Sequence, residues 1–439
     1  MKIIRADAAG FAEFFNKLRQ RGGTFTPELL ATVAEIIRDV TVKGDEALFE
    51  YTAKFDGHQL SAATVEVTAK ERKEVLARVK PEDLEVIKLS ARRIENYHRH
   101  QVTQGFMVNN ESGVELGQLV LPLQRVGIYA PGGKSFYPST LLMAAIPAQI
   151  AGVEEIILVS PSKDGQLNPL IAAAAEVSGV QRIFKIGGAQ AIAALAYGTK
   201  TIPPVDKIVG PGNAYVAMAK KLVFGQVGID MIAGPSEVVV IADKTANASF
   251  VAADMLAQAE HDEMAAAVLL TPLTDLAREV SKEIDRQLQT LSRKKIMEDS
   301  LGKYGVIIIT ADIAQAVELA NLFAPEHLEL MVENPAEILK QVRNAGSVFL
   351  GSFTPEALGD YIAGTNHILP TQGTARFSSP LGVYDFYKRM SVLSFSPEAF
   401  GRLAKQTARF AEIEGLDAHA NSVTMRNKDS VLGQNFKTR

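Results

Sequence analysis

The sequence predicts an α/β fold built on two parallel sheets, each wrapped by helices, with small extensions at the two ends. Three observations predict it. The chain has 439 residues, and at roughly 100–200 residues per domain that is room for two large cores. Between residues 126 and 243 a short apolar strand, a Gly-containing loop and an Ala-rich helix recur, with strands expected at 126–129, 156–159, 183–186, 208–209 and 238–241. A second alternation runs from 247 to 350, with strands expected at 267–271, 306–310, 328–332 and 347–350. Short apolar strands separated by helices are the pattern of a parallel sheet covered on both faces.

Taken in order, the chain opens on helices. Residues 9–18 are helical in pattern, and Thr26-Pro27-Glu28 is a start signal, with Thr26 as N-cap, Pro27 at the first helical position and Gly44 closing the helix. Another helix is expected from Pro81 to about 104, with Leu84, Ile87, Ala91 and Ile94 on one side, before strand-like segments at 114–116 and 119–121. The loops after the first set of strands carry Tyr129-Ala130-Pro131-Gly132-Gly133, Gly187-Gly188-Ala189-Gln190 and Gly210-Pro211-Gly212-Asn213. They would crowd the crevice at the carboxyl ends of the strands, where open α/β sheets bind ligands, and a nucleotide is the expected guest. The dinucleotide fingerprint Gly-x-Gly-x-x-Gly is absent, and Gly133-Lys134-Ser135 is no P-loop, because its first Gly would fall where Ile128 stands. Plain turn glycines are the alternative. From about Pro380 roughly 60 residues remain, with one helical run at 397–414; so short a segment rarely makes a core alone and should dock on another surface or another subunit.

Composition removes several classes of function. Lys and Arg number 46 against 50 Asp and Glu, a net charge of -4, which is not the footprint of a nucleic-acid binder. No apolar run approaches the ~20 residues of a membrane helix, and the start lacks a signal-peptide core, so a cytoplasmic protein without membrane contact is expected. There is no cysteine, hence no disulfide, no thiolate metal ligand and no cysteine nucleophile. A metal would have to use His, Asp, Glu or an amide oxygen.

The stretch that concentrates chemistry is Ala324-Pro325-Glu326-His327-Leu328. An amphipathic helix at 311–323 presents Ile313, Ala316, Val317, Ala320 and Phe323 on one face; Pro325 should stop it, and 328–332 alternates like a strand. Glu326 and His327 would then occupy a short turn facing a cleft. An adjacent acid and imidazole can divide proton work, because one stays ionised while the other exchanges protons. The bland alternative is a solvated turn with an incidental His. Metal-competent groups lie elsewhere: Gln258 and His261, three apart on the helix that begins near Asn247; Asp360 after Gly359; His367 after Asn366; and Glu414 with His419. Two imidazoles and a carboxylate suit zinc, and an amide oxygen is a less common ligand. Spacing alone does not assemble them, and a single His is more often a surface or cap residue.

Together with the loops above, the motifs Ala233-Gly234-Pro235-Ser236-Glu237, Ala257-Gln258-Ala259-Glu260-His261-Asp262, Gly359-Asp360-Tyr361, Gly364-Thr365-Asn366-His367 and Glu414-Gly415-Leu416-Asp417-Ala418-His419 make a chain that resembles the histidinol dehydrogenase family over nearly its whole length. The resemblance implies two Rossmann-like, aldehyde-dehydrogenase-like parallel-sheet domains plus small terminal extensions. Its domains would be a helical extension at 1–24, a discontinuous catalytic domain at 25–125 and 242–379, a nucleotide-binding domain at 126–241 and a dimerisation extension at 380–439. It implies NAD- and zinc-dependent oxidation of L-histidinol to L-histidine through L-histidinal, in two hydride transfers, the last step of histidine biosynthesis. Gln258, His261, Asp360 and His419 fall on the family's ligands for one zinc ion per subunit, and these four also lie on substrate positions. Ser236, His327, His367 and Glu414 fall on further substrate contacts, and Tyr129, Gln190 and Asn213 on NAD contacts. Glu326 and His327 would be catalytic, His327 taking the hydroxyl proton and Glu326 activating a water that adds to the aldehyde. The resemblance also implies a homodimer whose active site is shared between subunits.

Three other readings stay open on the residues. A zinc hydrolase would use a Glu-water-metal arrangement but leave the nucleotide-type loops unexplained. A relative could oxidise another polar alcohol. A non-enzymatic metal-binding protein would turn over nothing.

Overall fold

The computed structural model describes residues 1–21, 26–132 and 136–433, the last seven of these by backbone alone. The tripeptide 133–135, considered above as a P-loop, lies outside the described residues. Among the described residues the strands form three sheets. The largest is six-stranded and parallel throughout, in the order Lys2–Arg5, Val306–Ile309, Ala266–Thr271, Glu237–Ala242, His327–Met331, Ser347–Leu350. Four of these are the strands expected between 247 and 350. The strand Glu237–Ala242 departs from expectation: it does not belong with the first set but forms the middle of this sheet, between Ala266–Thr271 and His327–Met331. Its run Val238-Val239-Val240-Ile241 is apolar on both faces, so it suits the centre of any parallel sheet, and its own residues do not say which one. Lys2–Arg5, expected to be helical, is instead an edge strand paired with Val306–Ile309.

Alternate side chains of this sheet enter two cores. Val238, Val240, Leu269 and Ile307 meet Val251, Met255, Val280 and Ile284 on one face. On the other, Val239, Ile241, Ile308, Leu328 and Leu330 meet Phe11, Phe15, Ala320 and Phe323. Each fully buried side chain of this size contributes ~1.5–3 kcal/mol, which fixes the amino ends of Glu237–Ala242 and His327–Met331 side by side.

The second sheet is five-stranded and parallel, in the order Arg182–Phe184, Glu155–Val159, Arg125–Tyr129, Lys207–Val209, Gly228–Ile229. Chain order reverses between Arg125–Tyr129 and Lys207–Val209, so the loops that follow these two strands part and leave a crevice at their carboxyl ends. The core of this sheet takes in Ile157, Val159, Ile192 and Leu195, covered by Val33, Ile36 and Val40 of helix Pro27–Lys43 and Leu48 of helix Asp45–Asp56. Thr26 caps the first of these helices by accepting the Leu29 N–H, Pro27 opens it and Gly44 ends it.

Residues Thr103–Pro122 and Tyr387–Arg439 form a compact unit separate from the remainder. Its antiparallel sheet runs in the order Tyr387–Phe395, Val114–Pro122, Phe106–Glu111, and its helices Pro397–Ile413 and Asp417–Gly433 follow. Phe106, Met107, Met390, Leu393, Phe410 and Ile413 of this unit are exposed. No helix among the described residues is long and apolar enough to cross a membrane.

Candidate active site

Helix Ile313–Phe323 starts at Asp312, whose carboxylate accepts the Gln315 N–H. It is ended not by Pro325 but one residue earlier, where Ala324 adopts a left-handed conformation with φ 52° and its N–H closes on Ala320 O at 2.8 Å. The chain then turns sharply, Pro325 O accepting the Gly346 N–H and Glu326 O the Ser347 N–H, and His327 opens its strand. Glu326 and His327 are 6% and 3% exposed, so this is no solvated turn. The Glu237 N–H donates to Glu326 Oε2 at 3.0 Å, and Glu237 O lies 3.2 Å from His327 Nδ1. That contact makes Nδ1 the donor and leaves Nε2 without a hydrogen bond inside 3.5 Å, its nearest charged partner being Asp360 Oδ1 at 3.7 Å.

Burial pushes the Glu326 carboxyl up to about 7; His327 opposes this, while Glu237 and Asp360 add to it. For His327 burial acts downward, but the carboxylates of Glu356, Glu326 and Asp360 outweigh it and hold the imidazole well above its ordinary value. The Glu326 carboxyl therefore exchanges protons near neutral pH more readily than a solvated one would, while the carboxylates around His327 favour the protonated imidazole, the form it reaches on taking a proton.

The metal-competent groups gather at the same place. Helix Glu356–Tyr361 carries Glu356 and Asp360 one turn apart, and one ligand atom from each lies within 4.8 Å of the others when His261 is included. Burial lowers His261 and His367 below the ordinary histidine value, which favours the neutral, ligating imidazole. His367 Nδ1 is 2.9 Å from Asp360 O and its Nε2 3.1 Å from Thr140 Oγ1. Gln258 and His261 do not share one helix face: helix Ala248–Ala259 stops between them, and the His261 N–H returns to Gln258 O. The Gln258 amide is fully buried with neither its oxygen nor its nitrogen satisfied. Two carboxylates and an imidazole are a donor set that fits a divalent metal such as zinc, and the Gln258 amide, unsatisfied on the helix that leads to His261, is a further oxygen donor of the kind such an ion accepts. Glu356 was missed by the sequence reading; its spacing of four from Asp360 was the available signal.

At the other end of the cleft stand the glycine loops of the smaller sheet. Tyr129 is buried, its hydroxyl accepts the Gly188 N–H, and burial pushes it up to about 12, so it stays a neutral phenol. Gln190 is buried with neither amide atom hydrogen-bonded to the protein. Asn213 Oδ1 caps helix Ala214–Val223 through the N–H groups of Tyr215 and Val216. Tyr129, Gln190, Asn213, Ser236, His261, Glu326, His327, Asp360 and His367 all line one cleft of about 1360 Å³. The carboxyl edge of one sheet thus faces the amino edge of the other. Glu414 and His419 belong to the separate unit, where both are exposed, Glu414 capping helix Pro397–Ile413 and His419 in the first turn of Asp417–Gly433.

Fold and cleft together define a parallel α/β protein with a buried acid–imidazole pair in a cleft at the sheet edges. A family model described as histidinol dehydrogenase matches residues 19–427. The histidinol dehydrogenase of Syntrophotalea carbinolica is 52% identical over 430 residues, covering 98% of this chain and 100% of that protein. That of Aquifex aeolicus is 53% identical over 412 residues, 94% of this chain and 96% of the other. The crystal structure of histidinol dehydrogenase from Elizabethkingia anophelis superposes with a TM-score of 0.91 at 37% identity, over 98% of each chain. The chain belongs to the histidinol dehydrogenase family.

Proposed function

We propose that this protein oxidises L-histidinol to L-histidine through L-histidinal, with two NAD and one zinc ion per subunit, as the last step of histidine biosynthesis. The observation that carries the reading is the placement of Glu326 and His327 in one cleft with His261 and Asp360, which Glu356 joins as a cluster of possible metal ligands, and with the loops of Tyr129, Gln190 and Asn213. When bound, NAD supplies the hydride acceptor and zinc, on Gln258, His261, Asp360 and His419, orients the imidazole and amine of the substrate. His327, its ring held through Nδ1, takes the hydroxyl proton at Nε2 in the first oxidation. Glu326, held through Oε2, takes a proton from the water that adds to the aldehyde, and the hydrate is oxidised in the second. One alcohol, two NAD+ and one water give one carboxylate, two NADH and three protons. With no cysteine in the chain, hydration takes the place of a thiohemiacetal. Ser236 and His367 bound the substrate within the cleft, and Glu414 pairs with its cationic amine.

The same reading makes the protein a homodimer with shared sites. The exposed apolar side chains of the separate unit suit an interface, and the exposed Glu414 and His419 would complete a partner's cleft. NADH should form when histidinol and NAD are mixed with the protein, histidine should be the product, chelation should abolish turnover and added zinc restore it. His261→Asn should lower the metal content. Full turnover by protein shown to be free of metal would sink the zinc assignment.

A further inference from the structure

The catalytic pair is held from behind by a single residue. Both fixed hydrogen bonds of Glu326 and His327 end on the main chain of Glu237, one on its N–H and one on its C=O. Any shift of the Glu237 backbone, whose two flanking peptide groups supply these contacts, moves acid and imidazole together.

Glu237 is itself anchored by its side chain. The carboxylate, 0% exposed, is paired with the guanidinium of Arg21, 1% exposed, and accepts the Gln372 N–H at 3.0 Å. Gln372 sends its side-chain amide back to Arg21 O at 2.9 Å, which closes a ring of three residues drawn from distant parts of the chain. Gln372 does so from a left-handed conformation with φ 53°, unusual for a residue with a side chain. Its neighbour Thr371 accepts the Gly234 N–H at 2.7 Å, so the loop that bears Ser236 is tied to the same segment. Arg21 also donates to Leu18 O at 3.4 Å. Neither Arg21 nor Glu237 lines the cleft.

A fully buried ion pair is a poor source of stability, because desolvation offsets the attraction, and neutral groups of similar volume often serve as well. Its value here is directional: two charged groups with fixed partners define where the peptide of residue 237 sits. We infer that Arg21, Glu237 and Gln372 are positioning residues, a strut with a buried ion pair at its centre and half-buried Gln372 at the cleft wall, that sets the N–H and C=O by which Glu326 and His327 are aimed. The inference rests on the proposed roles of those two residues in proton transfer.

The test is the double variant R21M/E237Q, which removes both charges and keeps the volume, together with R21K, which keeps the charge and loses the planar fork. In the double variant the melting temperature, zinc content and KM for histidinol should stay near wild type, while kcat falls on the order of 100-fold for histidinol and for histidinal alike, the scale of loss for a misplacement of about 1 Å. R21K should recover part of that loss at unchanged KM. Wild-type kcat in the double variant overturns the inference. So does a fall in kcat matched by loss of zinc or of melting temperature, which would make the ring structural only. If the double variant does not fold, R21K decides: a kcat several-fold below wild type at unchanged KM and zinc content supports the strut, and an unchanged kcat rejects it. Failure of the parent reading looks different, since wild-type protein would then form no NADH from histidinol.

Discussion

Glu326 and His327 are neighbours in sequence, yet their environments give them different tasks. Burial brings the Glu326 carboxyl to about 7, where it can both take and return a proton at neutral pH. Glu326→Gln should therefore slow histidinal oxidation by ~10²–10⁴-fold, the range for general acid–base groups, and histidinol oxidation much less. His327→Asn should slow both. Supplying each substrate separately and following NADH measures this, and equal losses at both steps for Glu326→Gln would contradict the division of labour. The pair was legible because an acid beside an imidazole after Ala-Pro is unusual chemistry to place in a turn, and its burial removes the solvated alternative. Glu356 and Glu237 were not legible. The spacing of four from Asp360 hints that Glu356 shares its helix face, but nothing in the residues around Glu356 or Glu237 tells that either will be buried, since that depends on which strands the fold sets beside it.

The turn that presents the pair depends on one backbone conformation. Ala324 at φ 52° is tolerable for a small side chain, but a β-branched residue there should cost roughly 1–2 kcal/mol. Ala324→Val should lower the urea midpoint and also reduce kcat, because the next residues are Pro325 and Glu326. Asp312→Ala, at the far end of the same helix, removes the cap and should cost about 1 kcal/mol with kcat unchanged. Ala324→Val with wild-type kcat, or Asp312→Ala with a large loss of it, would refute the turn's role. Helix ends and strand positions were legible from capping and apolar pattern, as at Thr26, Pro27 and Gly44. Which sheet a segment joins was not: Val238-Val239-Val240-Ile241 fits either, and helix Pro27–Lys43 shows on its own residues only that one face is apolar, not which sheet it covers.

The cleft is built by opposing the carboxyl edge of a five-stranded sheet to the amino edge of a six-stranded one, and the sequence showed the glycine loops of the first but not their counterpart. Glu414 and His419 lie on a unit with exposed phenylalanine, methionine and leucine side chains, which the proposed dimer would cover. Chains carrying His261→Asn and chains carrying His419→Asn should each be inactive, while a mixed dimer, verified by different tags, should regain about half of wild-type activity, because one of its two sites then has both histidines. A mixed dimer that forms and stays inactive rules out shared sites. The claim on which the rest depends is that one cleft performs both oxidations without releasing the aldehyde. The most direct measurement is the amount of NADH formed per histidinol consumed in the presence of excess NAD. The account predicts two NADH and one histidine for each histidinol, with no free histidinal; one NADH with histidinal accumulating in solution would contradict it.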